Sequence, residues 1–209
     1  MDAPTPTVYL VDDDSELLTA LQRLLESAGL QSAAFASAQA FLQSHDRVAP
    51  GCLVLDLSMP GVDGLALQRE LARRGSPLPI VFLSGRGDIP ATVQAMKHGA
   101  TDFLTKPVDD TELLAAIEEA LATDRQRRQG HAERDRIAAS LSALTERERQ
   151  VLEQVVAGRL NKQIAAELGT VEKTIKFHRA NLMRKLGVRS VAELVKLAER
   201  AGIGTTPQG

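Results

Sequence analysis

Carboxylate, hydroxyl and ammonium side chains follow four short apolar runs in the first half of this 209-residue chain. They are Asp12, Asp13 and Asp14 after VYLV, Asp56 after CLVL, Ser84 after IVFL, and Lys106-Pro107 after DFLT. Carboxylates that lie together repel one another, and a hard divalent cation relieves that repulsion. A carboxylate beside such a cation can attack a phosphoryl group and form an acyl phosphate, while the cation and a lysine offset charge on the transferring oxygens. These residue types therefore predict a site that binds Mg2+, or another divalent cation such as Mn2+, with Asp56 as the nucleophile.

The elements that must bring these side chains together are five strands, each followed by a helix. The apolar runs VYLV, LQSAAF, CLVL, IVFL and DFLT alternate with longer segments whose apolar residues recur at helical spacing. Mostly apolar strands are typical of a parallel sheet that helices cover on both faces. In a doubly wound sheet of this kind the carboxyl ends of the strands meet at one edge, where ligands bind. The pattern predicts an α/β domain over residues 1–122 with the acidic cluster at that edge.

Residues 1–122 resemble the receiver domain of response regulators, which has a flavodoxin-like fold, through the motifs VDDD, CLVLDLSMPGVDG, LSG and LTKP. The resemblance implies that Asp56 is the phosphoacceptor. It also implies that Asp13, Asp56 and the backbone carbonyl of Ser58 ligate Mg2+, and that Asp12 orients a water on the metal. Taken singly, each residue also has a purely structural interpretation, because an Asp at the end of a strand often caps the following helix.

The same resemblance assigns roles in phosphoryl binding and switching to three further residues. It implies that Lys106 binds a phosphoryl oxygen, that Ser84 is the hydroxyl switch residue and that Phe103 is the aromatic one. Because Phe103 lacks the hydroxyl of the Tyr that is also common at this position, its part in switching has to come from packing. The Lys106-Pro107 bond is a candidate for the cis isomer, since X-Pro bonds tolerate that isomer far better than others do.

Charge divides the chain into two unlike parts. Residues 1–122 contain 8 basic and 17 acidic side chains (net -9), and 123–209 contain 17 basic and 10 acidic ones (net +7), which together give the -2 of the whole chain. A basic part favours a phosphate backbone, although the same surplus is also typical of a solvated helical surface. Residues 123–140 are dense in charge and sparse in apolar side chains, which indicates a linker that is an exposed helix or a tether. Gly130 leaves both forms of the linker open.

Residues 141–209 show no strand pattern and predict a small all-α domain of four helices. Capping boxes begin the first helix at Thr145 and the fourth at Ser190, and glycines follow the first three helices. A short helix, a glycine-containing turn and a longer helix over about 172–186 follow the order of a helix-turn-helix. The longer helix has an apolar stripe of Ile175, Leu182 and Leu186, and opposite it lie Lys173, Phe177, Ala180 and Arg184.

The second half resembles the LuxR/FixJ-type DNA-binding domain over 141–203, in the run LTERERQVLEQVVAGRLNKQIAAELGTVEKTIKFHRANLMRKLGV. By position, the resemblance implies base contacts for Lys173, Lys176, Phe177 and Ala180, and phosphate contacts for Thr145, Asn161, Lys162 and Lys185. The family has Ile-Ser where this chain has Thr170-Val171, so Thr170 is expected to cap the recognition helix one residue early. His178 is expected to pack between helices rather than to read a base.

Together the two halves resemble a two-component response regulator of the FixJ/LuxR type. The resemblance implies a sensor histidine kinase, an operator in double-stranded DNA, a second copy of the chain after phosphorylation and RNA polymerase as partners. Two other interpretations stay open: a DNA-binding regulator whose receiver acts without phosphorylation, and a Mg2+-dependent hydrolase of small phosphoesters. A single cysteine, Cys52, and an N-terminus without a secretory pattern predict a cytoplasmic protein, and no apolar run reaches the roughly 20 residues that a membrane span requires.

Overall fold

A computed structural model describes residues 5–46, 49–85 and 89–203. The chain divides into two compact units, 1–128 and 129–209, and each is described by itself. The division falls inside the segment 123–140 that the sequence marks as a linker. That segment is helical throughout, within one helix that begins at Asp110 and ends at Ser142.

A five-stranded parallel sheet forms the centre of the first unit, with the strand order β2-β1-β3-β4-β5. The strands are β1 (Thr7–Val11), β2 (Gln31–Phe35), β3 (Gly51–Asp56), β4 (Ile80–Ser84) and β5 (Asp102–Thr105). β1, β3 and β4 consist almost entirely of buried residues, which explains why they read as continuous apolar runs. The predicted doubly wound α/β fold is confirmed.

Five helices cover the two faces of this sheet. They are α1 (Ser15–Ser27), α2 (Ala38–Ser44), α3 (Gly64–Arg73), α4 (Ile89–Lys97) and α5 (Asp110–Ser142). Leucines of α1 and the first turns of α5 pack on one face, and α2, α3 and α4 pack on the other. Burial on both faces fixes the strand register, because slipping a strand by one residue would turn its apolar side chains to the wrong face.

A close approach of α3 to the end of β3 requires a glycine at its first residue. A Cβ atom at Gly64 would lie 2.5 Å from the carbonyl oxygen of Asp56, which is nearer than a carbon atom can stand. Asp63 caps the helix, since its carboxylate accepts a hydrogen bond from the amide of Ala66. Asp63 and Gly64, which end the motif MPGVDG, thus start α3 and allow it to begin close to the end of β3.

Four helices pack around one apolar core in the second unit. They are α6 (Glu146–Val156), α7 (Asn161–Glu167), α8 (Glu172–Leu186) and α9 (Val191–Arg200). The capping box predicted at Thr145 and Glu148 is present. The one predicted at Ser190 is only half formed, because the carboxylate of Glu193 accepts instead from the amide of Arg189 at 2.8 Å.

The start of α8 differs from the prediction. Val171, not Thr170, is the N-cap residue, and it has extended φ and ψ angles and no side-chain hydrogen bond to the helix. The amide of Thr170 donates to the carbonyl of Ala165, so Thr170 still belongs to the end of α7. The expectation that Thr170 caps one residue early is therefore wrong. None of the helices that the structure describes combines the length and the apolar character needed to span a bilayer.

Candidate phosphoryl-transfer site and nucleic-acid interface

Three carboxylates meet at the carboxyl edge of the sheet. Asp12 directly follows β1, Asp13 is next to it, and Asp56 ends β3; one oxygen from each lies within 4.8 Å of the others. Asp12 and Asp56 are only 2% and 4% exposed, whereas Asp13 is exposed. The buried pair gives the site its fixed geometry, and Asp13 leaves it open to solvent on one side.

Lys106 lies between the two buried carboxylates. Its Nζ atom is 2.6 Å from Oδ2 of Asp12 and 2.6 Å from Oδ1 of Asp56. Burial by itself would lower the pKa of Lys106, but the hydrogen bonds to both carboxylates outweigh burial and raise that pKa. The lysine is therefore a fixed positive charge at the point where the strands β1, β3 and β5 end.

Backbone amides hold the other oxygen of each buried carboxylate. The amide of Asp14 donates to Oδ1 of Asp12 at 2.9 Å, and the amide of Ser58 donates to Oδ2 of Asp56 at 2.9 Å. The carboxylate of Asp14 instead caps α1 by accepting from the amides of Glu16 and Leu17. Of the three consecutive aspartates, two therefore belong to the pocket and the third has the structural role that a strand-end Asp often has.

The donor set fits a divalent cation. All three nearby ligand groups are carboxylates, which are the hard oxygen donors that Mg2+ and Mn2+ prefer. Their like charge is only partly compensated by Lys106. The exposed position of Asp13 leaves room for metal-bound water, which Mg2+ characteristically retains.

The two predicted switch residues lie beside the pocket on β4 and β5. Ser84 is 2% exposed, and its hydroxyl donates to the carbonyl of Gly85 at 3.0 Å. Phe103 is half-buried, and its ring stacks on that of Phe82 with centroids 6.2 Å apart. The Lys106-Pro107 bond is cis, as the sequence allowed.

The outer face of α8 presents the predicted base-contacting residues. Ile175, Leu182 and Leu186 are buried, whereas Lys173, Lys176, Phe177 and Ala180 are exposed. The side chain of Phe177 is 63% exposed, an unusual position for an aromatic ring. Lys176 pairs with Glu172 at 3.2 Å on the same exposed surface. His178 is half-buried, and its ring meets that of Phe177 edge-on.

The predicted phosphate-contacting residues differ from one another in their exposure and in their hydrogen bonds within the protein. Lys162 is exposed at the start of α7, and the Asn161 side-chain oxygen accepts a hydrogen bond from Arg179 at 2.5 Å. The Thr145 hydroxyl caps α6. Nζ of Lys185 donates to the carboxylate of Glu148 at 2.6 Å. It also donates to the backbone carbonyl of Ala143, in the turn before α6, at 3.1 Å.

Glu148 and Arg179 are residues whose contacts the sequence did not predict. Glu148 is 4% exposed, and the hydrogen bond from Lys185, followed by bonds from Thr145, holds its pKa below the usual value in spite of burial. The capping box marked Glu148 as a helix-start residue but gave no sign of its partner 37 positions away. Arg179 lies on the flank of α8, where helical periodicity alone does not distinguish a solvated arginine from one that bonds to α7.

Two family patterns match the chain. Residues 8–118 match the response regulator receiver domain, and residues 142–198 match the bacterial regulatory proteins of the luxR family. The response regulator protein TmoT of Ectopseudomonas mendocina is 46% identical over 200 residues, which are 96% of this chain and 91% of the relative. The transcriptional regulatory protein FixJ of Bradyrhizobium diazoefficiens is 43% identical over 196 residues, 94% of this chain and 96% of the relative.

Solved structures show the same similarity. The response regulator StyR shares 47% sequence identity and a TM-score of 0.88, over 94% of this chain and 99% of that one. Full-length FixJ from B. japonicum shares 42% identity and a TM-score of 0.60, over 96% of this chain and 98% of that one.

Proposed function

Because the chain belongs to the two-component response regulators that join a receiver domain to a LuxR-type DNA-binding domain, we propose that phosphorylation of Asp56 controls its binding to DNA. A sensor kinase and DNA are the partners that this family implies, and the family consists of transcriptional regulators rather than enzymes that act on external substrates. The observation that carries the proposal is the convergence of Asp12, Asp13, Asp56 and Lys106 on one pocket.

The proposed chemistry is transfer of a phosphoryl group from a phosphohistidine of a sensor histidine kinase. An oxygen of Asp56 attacks phosphorus, the P–N bond of the donor breaks, and the released imidazole keeps the electron pair and takes up a proton. Asp13, Asp56 and the Ser58 carbonyl would hold Mg2+ or Mn2+, with Asp12 orienting a metal-bound water, and the bound cation offsets charge on the phosphoryl oxygens. Lys106, already 2.6 Å from Asp56, binds a phosphoryl oxygen once the acyl phosphate has formed.

The proposed switch begins at the hydroxyl of Ser84. On phosphorylation this hydroxyl exchanges the carbonyl of Gly85 for a phosphoryl oxygen, and Phe103 rearranges toward the phosphorylated site. The face bearing residues 89–110 then becomes competent to dimerise. Phosphorylation shifts an equilibrium between two receiver arrangements, so its effect is limited by the difference in their stability.

The proposed output is regulation of transcription, as an activator that contacts RNA polymerase. The proposed location of the protein is the cytoplasm. The exposed face of α8 enters the major groove, where Lys173, Lys176, Phe177 and Ala180 meet base edges. Thr145, Asn161, Lys162 and Lys185 are proposed to meet phosphates. Two copies on two half-sites double the number of phosphate contacts and steepen the dependence of affinity on salt.

The experiment that tests the receiver chemistry is intact mass measurement of wild type and Asp56→Asn after incubation with acetyl phosphate, with and without Mg2+. We expect one added phosphoryl group, which requires both Mg2+ and Asp56. If wild type gains no phosphoryl group, and a beryllium fluoride mimic changes neither its size nor its DNA affinity, the regulator acts without phosphorylation and the proposal fails.

A further inference from the structure

Gln68 is a buried amide that joins two helices on the face of the sheet opposite α1. It lies on α3 and is 3% exposed, and its Nε2 atom donates to the backbone carbonyl of Ala95 on α4 at 3.0 Å. Its Oε1 atom is buried and finds no hydrogen-bond donor among residues 5–46, 49–85 and 89–203. Because one of its two polar atoms is buried without a partner, the hydrogen bond to Ala95 is what offsets the cost of burying this amide.

The helix that accepts this bond is shallowly packed. α4, all of whose residues the structure describes, has one buried side chain, Ala95, whereas α3 and α1 each have at least three. Ile89 is 75% exposed, and Val93 and Met96 are 45% exposed each. Because little apolar area fixes α4, a buried hydrogen bond contributes more to its position than the same bond would in a deeply packed helix.

The bond is made at the end of α4 that leads into β5. The carbonyl of Ala95 also accepts from the amide of Ala100, and the amide of the next residue, Thr101, donates to Ile80 at 2.7 Å. Two residues later the chain reaches Phe103, and β5 ends just before Lys106. Gln68 therefore bonds to the last turns of α4, and from there the chain leads into β5, the strand that contains Phe103.

We propose that Gln68 is a positioning residue for α4, and that its bond to Ala95 favours the arrangement of the receiver that does not dimerise. In the described structure this bond coexists with a Ser84 hydroxyl that donates to Gly85 rather than to the Asp56 carboxylate. Release of the Gln68 amide accompanies the movement of α4 that makes the face bearing residues 89–110 competent to dimerise. This inference rests on the proposed function, because it assigns a role within the switch that Asp56 controls.

The test compares full-length wild type with Gln68→Met, which keeps the length of the side chain and removes the donor. The Ala95 carbonyl keeps its bond from Ala100 in this variant, and an unsatisfied buried oxygen disappears, so we expect its thermal stability to stay close to that of wild type. Without phosphodonor, we expect the dimer dissociation constant, measured by sedimentation, to fall by up to about 25-fold, because each of the two protomers loses one net hydrogen bond, an effect of about five-fold, from the arrangement that does not dimerise. Gln22→Met makes the same chemical change on α1 and should leave the constant unchanged.

Hydrogen exchange supplies the second measurement. We expect the amide hydrogens of residues 95–100 to exchange about five-fold faster in Gln68→Met than in wild type. The same amides should also exchange faster in wild type after incubation with acetyl phosphate and Mg2+. This comparison uses wild type alone and does not depend on the variant. Intact mass of the same sample shows whether Asp56 was phosphorylated, so failure of the proposed function is seen separately. Equal or weaker dimerisation of unphosphorylated Gln68→Met, or unchanged exchange of these amides, overturns the inference.

Discussion

Lys106 links the chemistry of the pocket to its structure, because it bonds to two carboxylates that come from different strands. Each of its two contacts is 2.6 Å long, and its partners Asp12 and Asp56 are both buried. Without the lysine, two carboxylates would lie together in a poorly solvated place. The same charge that offsets the repulsion between these carboxylates opposes a cation beside them and attracts a phosphoryl group.

Lys106→Met is therefore expected to have two opposite effects. Loss of the ammonium should tighten Mg2+ binding by about ten-fold, because a competing positive charge is removed, and should slow phosphorylation of Asp56 by acetyl phosphate by at least about ten-fold. Calorimetric titration with Mg2+ and the rate of mass gain measure the two effects. If the variant is phosphorylated and dimerises as wild type does, the lysine only closes the turn before Pro107.

Lys185 has a structural role that its predicted phosphate contact did not suggest. Its ammonium bonds to Glu148, a carboxylate that is 4% exposed, and this bond is the largest cause of the lowered pKa of Glu148. A carboxyl group with a lowered pKa stabilises the fold above its unfolded pKa and loses that effect as the pH falls through its folded pKa.

Lys185→Met should thus destabilise the C-terminal unit by about 2 kcal/mol at pH 7, since a buried charged acceptor loses its charged donor. The difference from wild type should shrink as the pH falls from the ordinary range of a glutamate toward the lowered pKa that Glu148 has in wild type, because protonation removes the charge that Lys185 compensates. Urea unfolding at several pH values measures this difference. Lys196→Met, an exposed lysine on α9, is the control. A difference that is constant with pH would show that the ion pair is not its source.

At the scale of elements, the strands and helices were predictable because their apolar spacing reports burial directly. The five apolar runs became β1 to β5, and the polar residues at their ends met at one edge because parallel strands leave no other arrangement. The pairing of Lys185 with Glu148 and of Gln68 with α4 was not predictable, since each joins helices whose relative position no local pattern encodes. The start of α8 was misplaced because a Thr is a better cap than a Val, and the preference of a residue type does not decide where the chain turns.

Val171→Ser should stabilise the C-terminal unit by about 1 kcal/mol, because Val171 occupies the N-cap of α8 without offering an acceptor. Thr170→Ala should change the stability much less. The urea midpoints of the two variants, compared with that of wild type, show whether Val171 or Thr170 is the N-cap of α8. A large loss in Thr170→Ala together with no gain in Val171→Ser would place the cap at Thr170 after all.

At the scale of the whole chain, residues 1–122 and 123–209 carry net charges of opposite sign and have different surfaces. Residues 1–122, with a net charge of -9, contain the pocket of three carboxylates, and residues 123–209, with a net charge of +7, contain a helix with exposed lysines and an exposed ring. Charge alone indicated two parts with different partners, but it did not say which lysines are fully exposed and which also bond within the protein. The structure separates Lys173 and Lys162, which are exposed, from Lys185, which is bonded to a buried carboxylate.

Substitutions on α8 should separate base reading from phosphate binding. On duplexes selected from a random library, Lys176→Ala and Phe177→Ala are expected to lose about ten-fold in discrimination between the selected site and its single-base variants. Arg184, on the same outer face, is expected to lie near phosphate rather than near a base. Arg184→Ala should therefore keep that discrimination and reduce the slope of log affinity against log salt by about one. Lys196→Ala on α9 controls for loss of charge. Full discrimination and affinity in Lys176→Ala and Phe177→Ala would show that α8 is placed wrongly in the groove.

The most direct test of phosphorylation-controlled DNA binding is the affinity of wild type and Asp56→Asn for a selected duplex, with and without acetyl phosphate and Mg2+. Fluorescence anisotropy at fixed salt measures it. We predict that the phosphodonor tightens binding of wild type by about ten-fold or more and leaves Asp56→Asn unchanged. Equal affinity of wild type in both conditions, or the same tightening in Asp56→Asn, would contradict control of DNA binding by phosphorylation of Asp56.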